Sequence, residues 1–151
     1  MKTNKGFTLI ELLVVIAIIG VLASVVLASL GSARTKGNDS KVKAQLANIR
    51  PAAGIYLNEN GNFAPVNATV DVCTVGVFAD TASGMAALID TANYPTGTTV
   101  DCRHNANVTT AADAWAVSAN LGTAGEFWCV DSTGASVQTT AAQTAGDVTC
   151  A

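Results

Sequence analysis

Phe7-Thr8-Leu9-Ile10-Glu11-Leu12-Leu13-Val14-Val15-Ile16-Ala17-Ile18-Ile19-Gly20-Val21-Leu22-Ala23 opens an apolar run that continues to Leu30. About 20 such residues cross the hydrocarbon core of a bilayer as a helix. Between Phe7 and Leu30 the only charge is Glu11. An ionised side chain placed in hydrocarbon costs about 2.5–3.5 kcal/mol on insertion scales, so a carboxylate here needs a partner. The segment is therefore more than an anchor. Ahead of it, Met1–Gly6 is short, polar and basic through Lys2 and Lys5. That charge predicts a cytoplasmic N-terminus, with the rest of the chain on the other side of the membrane.

The Gly6–Phe7 junction, the Phe7-Thr8-Leu9-Ile10-Glu11 that follows and the apolar helix beyond resemble the class III signal of type IV prepilins. The resemblance implies a leader, residues 1–6, removed after Gly6 by a prepilin peptidase, and methylation of the new amine on Phe7. It also implies polymerisation through the N-terminal helix, so that copies of the chain are its own main partner. In a bundle of staggered helices, Glu11 of one subunit reaches the Phe7 amine of its neighbour. A dry bundle penalises an unpaired carboxylate, which enforces register. Many pilins carry a proline in the apolar half of this helix. This chain has Ala28 in that region, which leaves Gly20 as a candidate point of melting on assembly.

Further partners implied by the resemblance are a cytoplasmic ATPase motor, a membrane platform and an unidentified surface or host ligand. The precursor would reside in the inner membrane and the product in a filament on the bacterial surface. Such a filament serves adhesion, twitching motility or DNA uptake. One alternative is a pseudopilin of a type II secretion or competence system. Another, from a different class, is a membrane-anchored extracellular binding module that never polymerises. A plain secretory signal, cut at Gly31-Ser32-Ala33, would have a shorter apolar core and leaves Glu11 unexplained.

From Ser32 to Asn58 the pattern turns amphipathic, with Val42, Leu46, Ile49, Ala53 and Tyr56 at three- and four-residue steps. One continuous helix over residues 7–58 is expected, about 75–80 Å long at 1.5 Å per residue. Its apolar half, residues 7–30, would protrude as the transmembrane and assembly half. Its amphipathic half, 31–58, would pack on a head. Gly20, Gly31, Gly37 and Pro51 are its weak points, and Pro51 should kink it near Ala47–Arg50. Asn58-Glu59-Asn60-Gly61-Asn62-Phe63-Ala64-Pro65 then supplies turn formers and a closing proline. Tyr56 followed by Asn60-Gly61-Asn62-Phe63 and Pro65 resembles the segment that ends the long helix in type IV pilins and pseudopilins.

The head, residues 59–151, reads as a small antiparallel sheet, which makes the fold α+β. Residues 70–77 are β-prone, and residues 80–92 suggest a short helix with Met85, Leu88 and Ile89 inward. Residues 98–104, 114–121 and 126–131 read as strands, with Gly122-Thr123-Ala124-Gly125 turning the chain between the last two. Trp128-Cys129-Val130-Asp131-Ser132-Thr133-Gly134 resembles a strand and turn found in many pilin heads. Beyond Ala135 the chain is rich in Thr, Ala and Gln, with little core signal. Cys150 would tie this tail back, and in the family a C-terminal disulfide loop often marks the exposed, variable face.

The 4 cysteines follow a membrane-targeting segment, which favours two disulfides in an oxidising compartment. They allow three pairings, which sequence alone does not separate. Cys73–Cys102 with Cys129–Cys150 is the expected one, because both loops are short and each seals a local segment. Each bridge adds about 3 kcal/mol in the chain-entropy model. The absence of a Cys-x-x-Cys pair and the presence of only 1 His argue against zinc, and no cofactor is expected.

Arg34, Lys36, Lys41, Lys43 and Arg50 crowd the helix after the apolar run, and beyond them the only base is Arg103. The head is thus acidic and unsuited to reading nucleic acid. The basic stretch reads as a solvated face meeting acidic groups of neighbouring subunits. No catalytic set appears, so no enzyme is expected. His104, beside Asp101, Cys102 and Arg103, reads as a histidine next to a disulfide. Asp131-Ser132-Thr133-Gly134 reads as a turn in preference to a calcium loop. Asn67-Ala68-Thr69 and Asn107-Val108-Thr109 match a glycan-acceptor pattern that arises often by chance.

Overall fold

A computed structural model describes residues 6–69, 71–107 and 109–150. The expected leader residues 1–5, Val70 at the head of the expected strand 70–77, Val108 of the second glycan triplet and Ala151 lie outside the described residues. The chain divides into two compact units, Met1–Lys36 and Gly37–Ala151.

In the first unit, helix α1 (Leu9–Ala47, continuing into the second unit) begins two residues after Phe7. Every side chain from Phe7 to Leu30 is exposed. The helix is apolar all round there, long and apolar enough to cross a membrane. Two of its hydroxyls bond within the helix: Ser24 Oγ donates to the Val21 carbonyl at 2.7 Å and Thr35 Oγ1 to the Gly31 carbonyl at 3.2 Å. Gly20, Gly31 and Gly37 are all helical.

In the second unit the helix breaks at Asn48 and resumes as α2 (Ile49–Asn60). Pro51 has no N–H to offer the Ala47 carbonyl. The Asn48 N–H tightens onto Gln45, three residues back, at 3.1 Å, and Asn48 Nδ2 takes the Ala44 carbonyl at 3.0 Å. The helix expected over 7–58 runs from Leu9 to Asn60, interrupted by a single turn at Asn48, inside the Ala47–Arg50 stretch where Pro51 is expected to disturb it. Gly61, at φ 73°, closes α2 by donating its N–H to the Leu57 carbonyl at 2.8 Å.

A four-stranded antiparallel meander follows: β1 (Val100–His104), β2 (Trp115–Asn120), β3 (Phe127–Asp131) and β4 (Ser136–Thr139), in that order across the sheet. Val117 stands opposite Cys102 on one side and Val130 on the other, and Cys129 opposite Val137. Val42, Leu46, Ile49, Ala52 and Ala53 share one core with Phe63, Phe78, Met85, Trp115, Val117 and Val130, and Tyr56 sits half-buried at its margin. Each large side chain so buried stabilises the fold by about 1.5–3 kcal/mol. Phe63 meets Trp115 edge to face at 6.3 Å.

Three expectations need correction. Residues 71–79 form no strand, because Asp71 (φ 62°) and Gly76 (φ 57°) adopt left-handed backbone that breaks an extended run. Gly76–Ala79 is a 3-10 turn instead. The helix expected over 80–92 shrinks to α3 (Met85–Ile89). Asp80 spends its carboxylate on the Ser83 N–H at 2.6 Å, Gly84 stands at φ 81° just before α3, and Asp90 caps a separate 3-10 turn, Thr91–Asn93. Finally, β4 lies where only a polar tail is expected.

Candidate functional site

The N-terminal segment is built from the residues that start α1. Gly6, Phe7 and Thr8 are non-helical and exposed, Phe7 at 87%. Glu11 Oε2 accepts from the Thr8 N–H at 2.8 Å and from Thr8 Oγ1 at 2.7 Å, and the Glu11 N–H donates back to Thr8 Oγ1 at 3.3 Å. This is a reciprocal capping box, which satisfies N–H groups that a helix start leaves without partners. The helix dipole also favours an anion in its first turn. The Thr-x-x-Glu spacing of this box is legible in the sequence, and it adds Thr8 to a site for which the resemblance points only to Phe7 and Glu11. Among the described residues Oε1 makes no bond. Gly20 lies further along the helix and contacts none of these groups.

The remaining site residues lie in the second unit. Disulfides join Cys73 to Cys102 and Cys129 to Cys150. Lys43 and Arg50, from the basic stretch, are not merely solvated. Lys43 Nζ stands 4.5 Å over the Trp128 ring. Arg50 donates to the Asp131 carbonyl at 3.2 Å and the Ala135 carbonyl at 2.7 Å. Arg103 reaches the Asp71 and Gln143 carbonyls at 3.2 and 3.3 Å, with its guanidinium 3.4 Å from the Asp71 carboxylate.

Asp131 is buried, and both of its oxygens are occupied. Oδ1 accepts from the Thr133 N–H (2.9 Å), Thr133 Oγ1 (2.8 Å) and the N–H groups of Gly134 (3.1 Å) and Ala135 (3.0 Å); Oδ2 accepts from the Cys150 N–H at 2.8 Å. Burial opposes its ionisation, but these donors outweigh burial and hold the carboxyl below the usual carboxylate range. The loop is thus an anchor for the tail. His104 is fully buried, stacks on Phe78 at 6.3 Å and accepts the Ala106 N–H on Nδ1 at 3.3 Å. Burial lowers its affinity for a proton, with Thr69 and Asp71 opposing. Among the described residues, no group of three or more His, Cys, Asp and Glu could hold a metal ion.

A family model, the prokaryotic N-terminal methylation motif, matches residues 1–27. The N-terminal segment is a prepilin-type methylation motif. The chain is 44% identical over 63 residues to the type IV wide pilus major component of Thermus thermophilus, covering 42% of this chain and 48% of that protein. It is 38% identical over 63 residues to the type II secretion system core protein G of Klebsiella pneumoniae, covering 42% and 45%. To the type IV major alpha-pilin of Moraxella bovis it is 42% identical over 59 residues, covering 39% and 37%. The matches span less than half of each of these relatives. The resemblance read around Gly6 and Glu11 is borne out: the prepilin-type segment is shared with pilins and pseudopilins. Subunits of that class are structural, not enzymes.

Proposed function

We propose that the chain is the subunit of a type IV pilus, processed between Gly6 and Phe7 and polymerised through α1. One observation carries this reading: Glu11 is the sole charge in an exposed helical stretch that is stable in lipid or among its own copies, but not in water. The start of α1 at Leu9 leaves the Gly6–Phe7 peptide bond outside the helix, as a peptidase requires. Loss of the leader would set a free amine on Phe7, one helical turn from Glu11. In an array of staggered copies, the amine of a neighbouring Phe7 can then replace or join Thr8 as the donor to Glu11. A head-to-tail contact that does not close builds an open filament. In this division residues 1–6 are leader, 7–30 the membrane and assembly half, 31–58 the packed half and 59–151 the exposed head. The precursor resides in the inner membrane, and the assembly platform and motor draw it out.

The matches to core G proteins favour a second reading, a pseudopilin in a short periplasmic fibre. Filaments seen at the cell surface support the pilin, and fibres confined beneath it support the pseudopilin. The deciding measurement is the mass and first residue of the cell-derived chain, expected to be N-methylated Phe7. A chain starting at Arg34 would overturn both readings. With processing established, Glu11→Ala should leave membrane insertion intact and abolish or cripple polymerisation. Unchanged assembly would leave a membrane-anchored binding module as the better account.

A further inference from the structure

We propose that Arg34 binds the phosphate of an anionic lipid at the membrane face where α1 emerges, before the chain enters a filament. The proposal rests on the membrane reading of the precursor given above. Arg34 is the first charged side chain after Glu11, and the apolar run between them ends at Leu30. At 1.5 Å of rise per residue, Arg34 stands about 6 Å beyond Leu30 along the helix. The headgroup layer on each side of a bilayer is about 5–7 Å deep. Helical side chains lean toward the N-terminus of their helix. At this end of the span that direction is back toward the lipid. A guanidinium brought there offers a planar fork of donors that matches a phosphate.

Depth and charge together select the occupant. Arg34 is exposed and, among the described residues, makes no hydrogen bond or ion pair. Its neighbours are engaged elsewhere: Thr35 Oγ1 donates to the Gly31 carbonyl at 3.2 Å, and Lys36 has interactions of its own. Between Glu11 and Arg50 the only carboxylate is Asp39. It lies in the second unit and accepts the Gly122 N–H there at 2.7 Å. A cation at phosphate depth with no acid of its own chain is complemented by an anionic headgroup. One base near such a surface is worth about a five-fold gain in binding. The contact would fix the depth of the apolar run, and with it the level at which the Gly6–Phe7 bond is held at the opposite face. On leaving the membrane, Arg34 would exchange the lipid for an acidic group of another copy.

The test offers the full chain, dialysed out of detergent, two vesicle populations in competition. One is phosphatidylcholine alone, and the other is an equimolar mixture of phosphatidylcholine and phosphatidylglycerol. Flotation then gives the ratio of chain in each. The formal net charge of the chain is −3, so its overall field alone would favour the neutral vesicles. The anionic vesicles should nonetheless be preferred, and the preference should fade at high salt. Arg34→Gln should lower the ratio about five-fold, and Arg34→Lys should restore most of it. Lys41→Gln, which removes the same charge from the second unit, should leave the ratio unchanged. Lys2 and Lys5 are present in every variant, so their contribution cancels. No anionic preference, a preference indifferent to Arg34→Gln, or an equal loss from Lys41→Gln overturns the proposal. An Arg34→Gln chain that keeps its lipid ratio but no longer assembles would overturn it in favour of an acidic group on a neighbouring copy. A chain that floats with neither population defeats the membrane reading itself, which is a different result from insertion without preference.

Discussion

Asp131 is a single carboxylate that joins two segments of the head distant in sequence. It ties the turn after β3 to the Cys150 N–H, 19 residues away in sequence. Hydrogen bonds to a charged group contribute about 1.5–3 kcal/mol, and removing the acceptor strands its donors. Asp131→Ala should therefore destabilise the chain by about 3 kcal/mol, measured as a lowered urea midpoint from Trp115 and Trp128 fluorescence. A change below about 0.5 kcal/mol, the scatter of surface substitutions, would refute this account. The sequence shows the local half of the arrangement, since Asp-Ser-Thr-Gly announces a turn. It hides the distant half, because no local pattern marks which N–H will return to that oxygen. Glu11 is the converse case. Its place in a run long and apolar enough to cross a membrane is plain in the sequence, and its bond to Thr8 is equally local.

Elements were legible wherever a pattern of burial stood behind them. The stripe from Val42 to Ala53, the Pro51 break and strands β2 and β3 all follow from periodicity or from a missing donor. Residues 71–77 misled because β-propensity describes a side chain's fit to a pleated surface, and here the backbone decides. Gly76 stands at φ 57°, and a Cβ there would lie 2.4 Å from the Phe63 carbonyl oxygen and 2.6 Å from the Ala64 Cβ. The left-handed penalty of about 1–2 kcal/mol and an overpacking penalty of about 1–3 kcal/mol together predict that Gly76→Ala destabilises by about 2–5 kcal/mol. Gly125, at φ 79° with open space around its Cβ position, supplies the control. Gly125→Ala should show only the first penalty, so equal urea midpoints for the two variants would remove the steric part of the argument. Strand β4 was illegible for a different reason: its side chains are mostly exposed, and only its ladder to β3 makes it a strand.

At the scale of the head, β2 exposes what local reading cannot supply. Its alternation suggests one dry face and one wet face, yet Trp115–Ala119 are all buried. Trp115, Val117 and Ala119 face the main core, while Ala116 packs with Cys129, Cys150 and Ala135 under the returning tail. The tail thus turns a one-sided sheet into a two-sided one and encloses ionisable groups, which makes stability depend on acid in two stages. His104, inside the main core, takes up a proton less readily when folded. Its contribution is complete above its ordinary value of about 6.5 and is lost as pH falls below that toward the lowered folded value. Asp131, on the tail side, is held below the carboxylate range. Its contribution is complete above about 4 and is lost only as pH falls through the folded value. Urea midpoints measured against pH should fall in two separate steps. His104→Asn, which keeps an acceptor for the Ala106 N–H, should abolish the step below about 6.5 and preserve the one below about 4. A profile flat from neutrality down to about 4 in the unmodified chain would show that protonating His104 is tolerated in place and would refute the first step.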